Sequence, residues 1–121
     1  MEHQRINLYP LEHDRRFNDI LLGSIDEAIT GLLSRKVVEA LYIYLQNACS
    51  IRKEEVPYRL EALSAVIDET FGLAGSRTVT KAIARKLYSK LALPFQDNTP
   101  RTLREYVDEA KVKLAEGEGR V

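Results

Sequence analysis

NDILLGSIDEAITGLLSRKVVEALYIYLQNA, residues 18–48, decides the fold class. Within it Leu21, Leu22, Ile25, Ile29, Leu32 and Leu33 recur at spacings of three and four, the period of one helix face. Asn18 or Asp19 offers a side chain that accepts a backbone N–H at the start of that helix, and Ser34 ends it and caps the next. The second helix, Arg35 to about Ala48, carries Val37, Val38, Leu41, Tyr42 and Leu45 on its stripe. Ala40, Ile43 and Tyr44 fall outside it. An apolar arc this wide predicts a central helix covered on several sides, with a partner-binding face as the competing reading.

Working outward, Cys49 to Pro57 reads as a connector with a single turn anchored by Ile51 and Val56. Pro57 permits a third helix with Leu60, Leu63, Val66, Ile67 and Thr70 or Phe71 inward, closed by Phe71-Gly72. Gly75-Ser76 marks the next boundary, with Ser76 capping a fourth helix from Arg77 to about Leu91. Its stripe is Val79, Ile83, Leu87 and Leu91, with Ala84 and Tyr88 beside it. Leu93-Pro94-Phe95 leaves the helix, and Phe95 is a candidate plug for the end of the core. Thr99-Pro100 pairs a capping hydroxyl with a proline at the first helical position, starting a fifth helix on Leu103, Tyr106, Val107, Ala110 and Leu114. No strand-like alternation persists. The expectation is an all-α, compact bundle of about five helices over residues 18–116. A mobile N-terminal arm (1–17) precedes it and a flexible tail (117–121) follows. In the arm, Ile6, Leu8, Tyr9 and Leu11 could dock onto the body or onto a second subunit.

A chain of 121 residues holds one such domain. Its 18 basic and 18 acidic side chains cancel, so net charge gives no general attraction to nucleic acids or membranes. Cys49 is the only cysteine, which precludes an intrachain disulfide and fits a reducing compartment. Met1-Glu2-His3-Gln4-Arg5 has no apolar signal core behind it, and no apolar run approaches the roughly 20 residues that span a bilayer. A soluble, cytoplasmic protein without membrane association is expected.

Residues for chemistry are few. A helix-borne di-metal site wants Glu-x-x-His pairs, but His3 and His13 lie outside every expected helix, and zinc spacings are absent. His3, Glu12, His13 and Asp14 read as a solvated segment. Cys49 sits at a helix C-terminus, where the dipole disfavours a thiolate. The pairs Asp26-Glu27, Glu54-Glu55, Asp68-Glu69 and Asp108-Glu109 are adjacent in sequence, so on a helix they point roughly 100° apart. No enzyme, cofactor or metal is assigned. Charge layout says more: the fourth helix holds Arg77, Lys81, Arg85, Lys86 and Lys90 and no acid, whereas the first holds Asp19, Asp26 and Glu27 and no base. Arg77, Lys81 and Arg85, together with Tyr44, are the candidate partner-binding residues, for a protein partner or for self-association. The alternative is a nucleic-acid-binding regulator, because a short glycine-containing turn joins helices three and four as in helix-turn-helix proteins.

From Gly23 to Lys111 the chain resembles the Nitrosopumilus output domain family of archaea, the fifth of its numbered series. The resemblance lies in Ile25-Asp26-Glu27, Ala40-Leu41-Tyr42-Ile43-Tyr44-Leu45, Ile51 with Glu54-Glu55-Val56-Pro57, and Phe71-Gly72. It continues through Lys86-Leu87-Tyr88-Ser89-Lys90-Leu91-Ala92-Leu93 with Phe95, then Tyr106-Val107 with Ala110-Lys111. It implies a small helical module with an output or interaction role in archaeal signalling, and supplies no catalytic residue. Tyr58-Arg59-Leu60 departs from the pattern by lacking a good helix-capping side chain.

Overall fold

Ser34 divides the first two helices as its chemistry requires: its hydroxyl oxygen accepts the Val37 N–H at 3.2 Å. The computed structural model describes residues 8–120, with side chains from Asp14 onward. All regular structure among them is helical: α1 (Leu8–Leu32), α2 (Arg35–Cys49), a 3-10 turn (Lys53–Tyr58), α3 (Leu60–Lys90) and α4 (Leu103–Ala115). After α2, Ser50 takes a left-handed conformation (φ 57°) and donates its N–H to Gln46 O, while Ile51 donates to Leu45 O. That reversal drops Ile51 and then Val56 into the core, where each is 1% exposed. The expected connector anchors are therefore in place.

Three boundaries differ from expectation. α1 begins at Leu8, ten residues before Asn18. Pro10 falls in its first turn, where a helix needs no N–H from it, and Phe17 lies one turn before Leu21 on the same buried face. The expected arm is thus helical from residue 8, and its residues 1–7, with Ile6, lie outside those described. The stop expected at Phe71-Gly72 is in place, since Gly72 (φ 75°, ψ 176°) adopts a conformation reserved for glycine, but the chain is helical again directly after it and the further boundary expected at Gly75-Ser76 is missing. Ser76 is no cap; it is buried in the second half of α3 and its hydroxyl donates to Asp68 across the kink. α4 starts on Thr102 rather than Thr99. Thr102 accepts the Glu105 N–H at 3.1 Å and Glu105 accepts the Thr102 N–H at 2.9 Å, a reciprocal box that Thr99 cannot form because the residue three places on is another threonine.

The core is one cluster. Leu21, Ile25 and Ile29 of α1 meet Val79, Ile83 and Leu87 from the second half of α3 and Leu91 just beyond it, joined by Leu103, Tyr106, Val107 and Ala110 of α4. Burying that many aliphatic side chains, at roughly 1.5–3 kcal/mol each, holds glycine-containing helices that would be marginal alone. Phe95 plugs one end as expected, stacked on Tyr106 (centroids 5.6 Å apart) and edge-on to Tyr88 (5.6 Å). The C-terminal segment also differs from the free tail expected for 117–121. Arg120 N–H donates to Leu91 O at 2.7 Å, over Gly119, where a side chain would collide with that same carbonyl. No helix among the described residues is long and apolar enough to cross a membrane.

α2 corrects a further expectation. It is a flanking helix, not a central one: Val38, Leu41 and Leu45 are buried, but Ile43 is 60% exposed and Tyr44 48%. The centre belongs to α1 against the second half of α3.

Candidate functional site

On a helix advancing roughly 100° per residue, Leu41, Val37, Tyr44, Ala40 and Ile43 form a continuous arc running from the core edge of α2 to its outer surface. The first half of α3 faces part of that arc. Between them lies a groove of about 590 Å³, walled by Lys36, Val37, Ala40, Leu41 and Tyr44 on α2 and by Val66, Glu69 and Thr70 on α3. Its floor is apolar, supplied by Val37, Leu41 and Val66, and Ala40 keeps it open because a methyl group fills so little of it. Two charged residues stand on opposite walls, Lys36 on α2 and Glu69 on α3. Both are exposed, and neither joins an ion pair among the described residues. Such a groove offers contact area and two charges, but no paired acid and base for proton transfer.

The basic flank of α3 is a different surface with its charge largely engaged. Lys81 Nζ lies 2.7 Å from Asp97 Oδ1 and Arg85 Nη2 3.0 Å from Asp97 Oδ2, so two cations share one carboxylate. The Lys81 hydrogen bond, aided by its charge and that of Arg85, holds the Asp97 carboxyl below its ordinary range against a smaller opposing effect of burial. Arg85 also lies over the Phe95 ring, 5.3 Å from its centroid. Lys90 binds Glu27 at 2.9 Å, joining the basic α3 to the acidic α1, and that hydrogen bond depresses the Glu27 carboxyl. Of the one-sided charges read in the sequence, Lys90 and Glu27 meet each other, while Lys81 and Arg85 meet Asp97 beyond the end of α3. Arg77 lies apart, in a separate cleft with Asp68, Leu73, Arg101, Thr102 and Glu105. Tyr44 lines the α2–α3 groove, Arg77 a separate cleft, and Lys81 and Arg85 converge on Asp97, so the structure does not bring the four sequence candidates together.

The helix-turn-helix expectation loses its geometric basis. That motif needs a turn of three or four residues between its helices, whereas α3 departs from helical geometry at Gly72 alone.

Sequence reasoning missed a polar cluster between α1 and α2. The Tyr42 hydroxyl donates to Asp26 Oδ1 at 2.6 Å, Lys53 Nζ lies 3.3 Å from Asp26 Oδ2, and the same ammonium stands 4.9 Å from the Tyr42 ring centroid. Burial, and then the bond to Asp26, raise the Tyr42 phenol well above its ordinary range. A tyrosine so held stays protonated and is a poor proton donor for chemistry, and the cluster ties α1, α2 and the 3-10 turn together. Helical spacing could have found part of it, since Tyr42 is the one polar-tipped residue on the α2 stripe. Cys49, at the end of α2, is partly buried against the core. No group of three or more His, Cys, Asp or Glu side chains converges among the described residues; His3 and the side chains of Glu12 and His13 lie outside them.

No family model, curated protein or solved structure matches the chain.

Proposed function

We propose that this chain is a non-catalytic helical interaction module, the output element of an archaeal signalling or regulatory system, acting in the cytoplasm on a protein partner. Its contact surface is the α2–α3 groove, and its occupant is an apolar helical face bearing one acidic and one basic residue. The single observation that carries this reading is the exposed arc Ala40, Ile43 and Tyr44 beside the half-buried Val37. The exposed side chains of that arc bring nothing to the chain's own core, and a groove lined this way gains from excluding water when a partner covers it. The resemblance to an archaeal output family supports the signalling context. The basic flank is less well suited to a partner or to nucleic acid than its sequence suggested, because Lys81, Arg85 and Lys90 already face carboxylates.

Site-specific photo-crosslinking tests the reading. A benzoylphenylalanine replacing Tyr44 should give a discrete polypeptide adduct in cells, and one replacing Arg77 should not. Absence of any adduct at position 44, or equal adducts at both, would overturn it.

A further inference from the structure

We propose that the occupant of the α2–α3 groove is a second copy of this chain, forming a two-fold dimer; this rests on the reading of the groove as a contact surface. The warrant is its self-complementarity. In a two-fold contact the axis lies in the plane of the interface, so whatever stands to one side of the axis meets the residues from the opposite side on the other copy. Run the axis along the groove, and the α2 wall of each copy seats on the α3 wall of the other. Lys36 on α2 then faces Glu69 on the α3 wall of the second copy, and the same pair forms again by symmetry. Neither charge has an ion-pair partner within its own chain among the described residues, so the dimer satisfies two groups that the monomer leaves to water. The half-exposed Tyr44 ring, an aromatic of the kind that anchors interfaces, stands about 12 Å along the same α2 wall from Lys36 and is covered when the second copy seats on that wall. Ala40, small and exposed in mid-groove, allows the α3 wall of the second copy to approach the α2 backbone.

A surface with one cation and one anion on opposite walls has a distinctive response to charge swapping. Lys36→Glu alone places two carboxylate pairs face to face, because every contact occurs twice. Glu69→Lys alone does the same with ammonium groups. The double variant exchanges the signs and restores both pairs. Light scattering and sedimentation equilibrium of the full chain, over about 1 to 200 µM, read this directly. The wild type is expected to dimerise with concentration, and each single reversal to weaken dimerisation at least about tenfold. The double reversal should recover it to within about threefold, and Ala40→Glu should abolish it with an unchanged circular dichroism spectrum. A chain that stays monomeric throughout, a dimer indifferent to Ala40→Glu, or a double reversal no better than the singles overturns the second copy as occupant. The photo-adduct at position 44 separates the two failures. A monomeric chain that still forms an adduct with another polypeptide sinks the dimer and spares the interaction reading, whereas a monomeric chain with no adduct sinks both.

Discussion

Tyr88 and Tyr106 offer a paired test of how this core handles buried hydroxyls. Their rings meet edge-to-face with centroids 6.4 Å apart, and their exposures are 3% and 1%. The Tyr88 hydroxyl donates to Tyr106 O at 2.7 Å, whereas the Tyr106 hydroxyl has no partner among the described residues. Removing the same atom from each therefore has opposite consequences. Tyr88→Phe forfeits a buried hydrogen bond and is expected to cost about 1–1.5 kcal/mol. Tyr106→Phe removes an unsatisfied hydroxyl whose burial costs roughly 1–3 kcal/mol, offset by the dispersion attraction of that one oxygen, leaving a gain of about 1 kcal/mol. For a chain this long the gain is a rise in Tm of about 4 °C, and the Tyr88 change is a comparable fall. Calorimetry and urea unfolding of the two variants measure both. A Tyr106→Phe protein less stable than wild type by more than about 0.5 kcal/mol would refute the reasoning, because the hydroxyl would then be making a bond that stabilises the fold.

Leu87→Ala, at 0% exposure, should cost about 4 kcal/mol in urea unfolding, and Leu41→Ala, at 5% on the edge of the groove, about 2 kcal/mol; equal losses would misplace the core. Gly72→Ala should destabilise by about 1–3 kcal/mol although no atom lies near the added methyl, because the cost is in its backbone angles; a neutral result would mean that α3 can straighten. Tyr42 and Tyr88 both have raised phenol ionisation in the fold, so above about pH 10 the unfolded chain loses protons that the folded chain keeps. Stability must then fall as pH rises, by up to about 1.4 kcal/mol per pH unit for each group, and Tyr42→Phe should flatten that limb in pH-dependent denaturation curves.

Much of this architecture was legible because apolar spacing and cap chemistry act locally. The Ser34 cap, the anchors Ile51 and Val56, the Phe95 plug and the stripe Val79, Ile83, Leu87 and Leu91 each follow from a few neighbouring residues. What escaped the reading was set by competition between local signals. Thr99-Pro100 is a good helix start in isolation, but Thr102 with Glu105 satisfies two N–H groups instead of one. The stop at Gly72 was legible, but Gly75-Ser76, which looks like a second boundary, lies within the helix, where Ser76 is buried and donates to Asp68. Pro10 is a start signal for α1 that the apolar spacing further along overshadows. The groove was half legible: the excess apolar arc of α2 was plain, but whether it faced inward depended on which helix occupied the centre. That is a property of the whole packing, which no window of sequence contains.

The contrast between the two candidate surfaces also follows from the packing. α1 and α3 are the most extensively packed pair, and their opposite charges were free to find each other along that seam, as Glu27 and Lys90 do. A cation that has found its carboxylate within the chain must give up that bond before it can serve a partner, so the basic flank starts at a disadvantage of one ion pair per residue engaged. α2 bears no such constraint. Its outward side chains, Ala40, Ile43 and Tyr44, have nothing in the chain to exchange for a partner, and covering them releases water while every bond within the chain stays made. Surface that gives up nothing on binding is where association costs least, and in this molecule the outer arc of α2 is such a surface.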